Sequence, residues 1–147
     1  MVADEAGGSL SLVICDLDRF KKVNDQLGHE EGDDALRRAA AAIVRAVRSI
    51  DIVFRLGGKE FGVLLPNPDT LEAYAVAERI RLSIQDDFAE YPVPLTASCG
   101  VATRRKGSFD RKRLLRAADD ALYRAKGAGR NRSVPTTRSW TASGRDP

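Results

Sequence analysis

Apolar positions along this chain alternate between short continuous runs and longer runs at helical spacing. The segment 9–18, SLSLVICDLD, is unbroken and β-branched at its centre, which predicts a strand covered on both faces. RFKKVNDQLG (19–28) reads as a short helix stopped by Gly28. In 32–49 Leu36, Ala39, Ala40, Ile43, Val44 and Val47 recur at helical spacing, and Asp33 and Asp34 stand at the expected start. In 52–66 two apolar runs flank Gly57-Gly58, a pair suited to a tight hairpin turn, and Pro66 closes the second run. A helix follows over 69–88, with Asp69 or Thr70 as N-cap and Leu71, Ala75, Ile80 and Ile84 facing inward. Residues 93–104 predict a strand, and 109–130 a last helix ended by Gly127 and Gly129. The order β-α-α-β-β-α-β-α predicts an α/β sheet covered by helices.

The ends differ from this body. Residues 1–8 are small and polar and read as a disordered lead-in, and the Ser/Thr/Gly/Pro-rich stretch 135–147 reads as a disordered tail. The domain is expected over 9–134, without internal repeats. With 43% apolar and 31% charged residues in 147, one soluble globular domain is expected. Neither a membrane-length apolar run nor a signal pattern is present, so the expected location is cytoplasmic, with no membrane insertion. Cys15 and Cys99 lie in strand-like runs and read as reduced, buried thiols. The net charge is +3, with basic residues concentrated from Arg104 to Arg145. Such a region attracts phosphates, but aromatic residues are scarce there, which argues against a nucleic-acid polymer as partner.

Three groups of residues carry candidate chemistry. Asp16-Leu17-Asp18 closes the first strand, a place where carboxylates hold Mg²⁺ or simply end a strand. Phe20 and Lys21 open the next helix, whose free N–H groups suit a phosphate. Asn24 shares a helix face with Lys21, and Asp33 begins the following helix. A carboxylate and an amide facing one cavity can read guanine, and the same two residues can merely cap helices.

DLDRFKKVNDQLGHEEGDDAL resembles the first half of a GGDEF domain, and RLGGKEFGVLLP resembles its signature hairpin. TASCGVA and AADDALYRAKGAGRN resemble its C-terminal half, so the resemblance covers about 9–131. It implies a central, mostly antiparallel sheet flanked by helices, with the ferredoxin-like core of nucleotidyl cyclases and polymerase palms. It further implies condensation of two GTP to cyclic di-GMP and two pyrophosphates between two domains. By position, Asp16 and the Leu17 carbonyl would bind Mg²⁺, and Phe20, Lys21, Lys126 and Arg130 would surround phosphates. Asn24 and Asp33 would read guanine, with Leu36 lining its pocket. His29 belongs to the turn between them and receives no role.

Two departures set the functional expectation. Where the family carries a metal-binding Asp or Glu, the signature turn Gly57-Gly58-Lys59-Glu60-Phe61 has a lysine. An ammonium has no lone pair below a pKa of about 10.4, and its charge repels a cation by several kcal/mol at ~4 Å. Glu60 is expected to point to the opposite face from its neighbour and so not to replace it. The catalytic turn of Lys59 and Glu60 is therefore expected to be degenerate, with Mg²⁺ binding weakened or lost. The DxLTxLxNR segment that precedes the first strand in the family is also replaced by MVADEAGG.

Arg48-Ser49-Ile50-Asp51 stands where the family carries an RxxD motif that binds cyclic di-GMP, and Arg79 matches a further arginine of that site. A guanidinium can take the Hoogsteen edge of guanine while a carboxylate accepts from its N–H groups. The expected function is cyclic di-GMP binding in second-messenger signalling, possible GTP binding, little turnover, and a homodimer that the two-fold symmetric ligand could bridge. The alternatives are an active diguanylate cyclase and, third, a ligand-free dimerisation module.

Overall fold

The computed structural model describes residues 8–104 and 110–136. The proposed lead-in up to residue 7, most of the proposed tail and the basic residues within 105–109 and 137–147 lie outside these bounds. The described elements are β1 (Leu10–Asp18), α1 (Lys21–Leu27), α2 (His29–Ala46), β2 (Ile52–Gly57), β3 (Glu60–Pro66), α3 (Thr70–Asp87), β4 (Thr96–Arg104), α4 (Arg111–Gly127) and β5 (Ser133–Pro135).

The strands form one sheet in the order β2-β3-β1-β4-β5, antiparallel except for the parallel β4–β5 pair. β1 is central and all nine of its residues are buried, as its unbroken apolar run predicts. Its alternating side chains serve two cores. Val13, Cys15 and Leu17 face a layer built with α1, α2 and α3, where Val23, Ile43, Ile80 and Ile84 pack. Leu10, Leu12 and Ile14 face the other side, against Leu114, Ala118 and Leu122 of α4. Asp16 and Asp18 continue that second face and lie beneath the last turn of α4 and the chain that follows it. At Gly100 of β4 a Cβ would stand 2.3 Å from the Ala118 carbonyl oxygen, so α4 rests directly on the strand backbone.

The structure corrects several sequence expectations. α2 begins at His29, three residues before the expected start, because Gly28 ends α1 and opens α2 at once with φ 91° and ψ 163°. Glu30 and Glu31, not Asp33 and Asp34, therefore occupy its first turn. The inner face of α2 is Gly32, Ala35, Ala39, Ala42 and Ile43, while Val44 is 58% exposed. Similarly, α3 turns Ala73, Val76, Ala77, Ile80 and Ile84 inward and leaves Leu71 78% exposed, and Ala75 is exposed. Small residues hide these inner faces from a reading that weights large apolar side chains. β4 starts at Thr96, not at residue 93. β5 was not anticipated: it takes in Pro135, which the sequence reading placed in the tail, and the Thr136 N–H donates to the Val101 carbonyl. Three residues ending in proline carry too little periodicity to register as a strand.

The hairpin forms with its turn one residue later than expected, Gly57 closing β2 opposite Glu60, and the cap of α3 forms as expected. β2 and β3 join through Gly58-Lys59, with Gly58 at φ 43°, a left-handed conformation that glycine adopts freely. The Asp69 side chain accepts from the Glu72 N–H at 2.6 Å, confirming it as the N-cap of α3.

Candidate nucleotide and metal site

The buried end of β1 presents Asp16, 1% exposed, between two ammonium groups. Lys126, in the last turn of α4, donates to Asp16 Oδ2 at 2.5 Å. Lys59, in the hairpin turn, brings Nζ to 3.2 Å from Oδ1, within ion-pair range but not aligned as a hydrogen bond. The Lys59 carbonyl also accepts from the Leu17 N–H, which fastens the turn to β1.

Glu60 lies directly opposite Asp16 in the β1–β3 register, so the two share a face. The expectation that Glu60 turns away from this site is therefore corrected. Lys59 belongs to the turn, where the strict alternation of a strand does not hold. Desolvation, with Asp16 next in weight, pushes the Glu60 carboxyl above its ordinary pKa, and Lys126 pulls the other way. Asp119 of α4 adds to the upward push and is itself raised by burial and by Asp120. The sequence reading missed Asp119, whose only signal was an acidic pair on a helix face.

This donor set does not fit Mg²⁺. Magnesium needs oxygen ligands at about 2.0–2.1 Å in near-octahedral order. Both oxygens of Asp16 already face ammonium groups, Lys126 on Oδ2 and Lys59 beside Oδ1. Among the described residues no group of three or more His, Cys, Asp or Glu side chains is arranged to hold a metal. Asp18 is also spent: Ser98 and Thr96 hydroxyls and the Asn131 N–H donate to its two oxygens at 2.6, 2.7 and 3.0 Å.

Behind the same strand end, α1 and α2 bring Asn24 and Asp33 to one region. Asn24 is half-buried and lies over Gly32, where a Cβ would stand 2.0 Å from its Oδ1. The next residue, Asp33, is exposed and lines a cleft of about 610 Å³ together with Leu36, Arg37, Arg55 and Phe61. Asn24 and Asp33 therefore cap neither helix. Phe20 is 7% exposed and packs in the core, leaving its backbone at the start of α1. Lys21 extends into solvent, paired with Asp25 at 3.1 Å. Arg130 is exposed in the turn after α4, with a positive φ of 65°.

The second cluster lies at the far end of α2. Arg48 Nε and Nη2 donate to both oxygens of Asp51 at 2.7–3.1 Å, Nη2 also to the Pro66 carbonyl, and Nη1 to Glu72 at 3.1 Å. The Asp51 side chain is fully buried, while Arg48 keeps 22% exposure. Asp51, with smaller help from Glu72, holds the guanidinium firmly charged. Arg79 of α3 donates from Nε to the Ala46 carbonyl at 3.1 Å and is otherwise exposed, so the structure gathers Arg48, Asp51 and Arg79 around one helix end. Glu72 joins them without a sequence signal beyond its place near the N-cap.

The two cysteines face each other across β1 and β4, Sγ to Sγ at 3.2 Å, as buried free thiols. The hydrogen bond to Cys99 and burial push the Cys15 thiol well above its ordinary pKa. Among the described residues no helix is long and apolar enough to cross a membrane.

Residues 2–132 match the family described as "Diguanylate cyclase, GGDEF domain". The chain is 41% identical over 134 residues to diguanylate cyclase DosC of Escherichia coli strain K12, covering 88% of this chain and 29% of that protein. It is 43% identical over 122 residues to DgcM of the same strain, covering 83% and 30%. The chain thus spans about three tenths of the curated relatives it matches. Among solved structures it superposes on the GGDEF domain of DgcB from Caulobacter crescentus in complex with c-di-GMP, with TM-score 0.83 and 31% identity, covering 91% and 81%. It also superposes on the active GGEEF domain of a Vibrio cholerae diguanylate cyclase, with TM-score 0.78 and 34% identity, covering 90% and 85%.

Proposed function

The chain belongs to the GGDEF family of diguanylate cyclase domains, and from that premise we propose that it is a ligand-binding member with little or no cyclase turnover, acting in cyclic di-GMP signalling. The observation that carries this reading is the clasp of Lys59 and Lys126 on Asp16. A metal ion would have to displace an ammonium from each oxygen and then share the pocket with both charges. Two-metal phosphoryl chemistry needs free carboxylates to fix its ions, and in this pocket the two lysines hold Asp16 and leave Glu60 alone beside it.

Cyclic di-GMP is the proposed ligand of the Arg48 cluster, a ligand that the DgcB domain carries in its solved complex. Asp51 is spent on Arg48, so its role is to hold the guanidinium in place rather than to read the base. The ligand then competes with the Glu72 contact, which lies at the surface. Arg79 supplies a second guanidinium from α3. GTP is the proposed ligand of the cleft, with Asn24, Asp33 and Leu36 at the base. Lys21, Lys126 and Arg130 meet the phosphates beside the start of α1 at Phe20. A homodimer bridged by the two-fold symmetric ligand, and a cytoplasmic location, complete the reading.

Calorimetry with cyclic di-GMP tests it: micromolar or tighter binding is expected for the wild type, weakened in Arg79→Ala. Absence of binding in both sinks the ligand assignment and leaves a ligand-free dimerisation module.

A second reading, an active diguanylate cyclase, is favoured by the Asp16–Glu60 pair, which keeps two carboxylates on one face. Incubation with GTP and Mg²⁺ or Mn²⁺ separates the two. Product above a Lys21→Ala control overturns the inactive reading.

A further inference from the structure

The turn after α4 holds three successive residues at positive φ: Gly129 at 125°, Arg130 at 65° and Asn131 at 46°. For an arginine this left-handed conformation is strained, and such strain persists only where the surroundings impose it. Here the restraints come from three directions. The Arg130 N–H donates back to the Ala125 carbonyl at 3.0 Å. The Asn131 N–H donates to Asp18 Oδ2 at 3.0 Å. Arg81 Nη1, reaching from α3, donates to Asn131 Oδ1 at 2.9 Å while Glu78 braces the same guanidinium at 2.8 Å.

The structure assigns to Asp18 and Arg81 the role of positioning residues that set this turn and thereby aim Arg130, and the adjoining Lys126, at the phosphates of a bound nucleotide. The inference rests on the reading of Lys126 and Arg130 as phosphate-binding residues. Asp18 is 4% exposed, and its two oxygens accept from Thr96, Ser98 and Asn131. It ties the floor of the sheet to the turn above it. Arg81 performs the same task on Asn131 from outside the sheet.

An asparagine at position 18 keeps the outer geometry. Its oxygen can accept from Thr96 and Asn131, and its amide can donate to a rotated Ser98 hydroxyl. Alanine keeps none of it.

The test is calorimetry with GTP, and with guanosine as the phosphate-free control, on the wild type and the variants Asp18→Asn, Asp18→Ala, Arg81→Ala and Arg130→Ala. Hydrogen exchange at the Asn131 amide is followed beside it. Asp18→Ala is expected to weaken GTP by about tenfold, the equivalent of one charge-assisted hydrogen bond, and to leave guanosine unchanged. Arg81→Ala is expected to weaken GTP by roughly threefold. Both should speed exchange at Asn131, and Asp18→Asn should restore affinity and protection. In the Arg130→Ala background Asp18→Ala should add little, the signature of two residues acting in series. Unchanged GTP affinity in Asp18→Ala and Arg81→Ala, with Arg130→Ala impaired, overturns the positioning role. Equal loss of GTP and guanosine overturns it as well, since Asp18 would then act on the whole domain. Unchanged affinity in Arg130→Ala shows instead that the phosphate reading underneath has failed.

Discussion

Glu60 and Asp16 are direct cross-strand partners, two carboxylates on one face, with Lys59 and Lys126 both drawn onto Asp16. Burial and the Asp16 charge raise the Glu60 pKa. A carboxyl with a raised folded-state pKa contributes stability below its unfolded pKa, and that contribution is lost as pH rises through the folded value. Glu60→Gln removes the charge and should raise the melting temperature at pH 7. The gain should shrink as pH falls into and below the ordinary carboxylate range. Melting curves between pH 4 and pH 8 check the sign; an advantage growing toward acid contradicts it.

The two lysines on Asp16 should not count equally. Lys126 is aligned and more enclosed, and it also favours the negative end of α4. Lys126→Ala is expected to cost about 1.5–3 kcal/mol, the range for a hydrogen bond to a charged group. Lys59 is 43% exposed and unaligned, so Lys59→Ala should cost about 1 kcal/mol or less. Urea unfolding of both variants gives the comparison, and the reverse ranking contradicts this view of the clasp.

Removal of Arg48 strands a carboxylate that has no exposed surface. Arg48→Ala should therefore destabilise the domain by about 3 kcal/mol, as expected when one partner of a buried pair is lost. Arg79→Ala loses one exposed bond to the Ala46 carbonyl and should cost about 0.5 kcal/mol. Thermal denaturation without ligand separates these values, and it identifies Arg79→Ala as the cleaner probe of cyclic di-GMP affinity.

Gly32 leaves room for Asn24 Oδ1. Gly32→Ala improves helix propensity by about 1 kcal/mol but pushes the Asn24 amide aside. The expected result is unchanged or slightly higher stability with GTP affinity reduced about tenfold, the loss of one base hydrogen bond with its partner left unpaired. Calorimetry beside a melting curve reads both, and undiminished affinity argues against Asn24 as a base contact.

Much of this architecture is legible in the chain. The unbroken run around Val13 announces a central strand, and Gly57-Gly58 announces the hairpin. Asp69 announces a cap. Helix faces were harder, because Ala35, Ala39, Ala73 and Ala77 bury as completely as Ile43 but carry little hydrophobic signal. The site divided in the same way. Lys59 faces Asp16 as the resemblance implies, whereas the contact of Lys126 with Asp16 had no sequence signal, since the resemblance gave Lys126 to the phosphates. One partner each of Arg48 and Asn131 comes from α3, which is distant in sequence, and no local pattern encodes Glu72 or Arg81 as neighbours. The side to which Glu60 points also depended on where the turn ended and the strand began.

Gly28 joins α1 to α2 without an intervening loop. Asn24 and Asp33 therefore ride on two arms of one bend, and their separation is settled when the domain folds. A base held between them, as proposed above, would order no connecting segment. The conformational entropy that a flexible loop would surrender on binding has already been spent in folding. In the proposed reading, the base meets side chains whose backbone positions the Gly28 bend has already fixed.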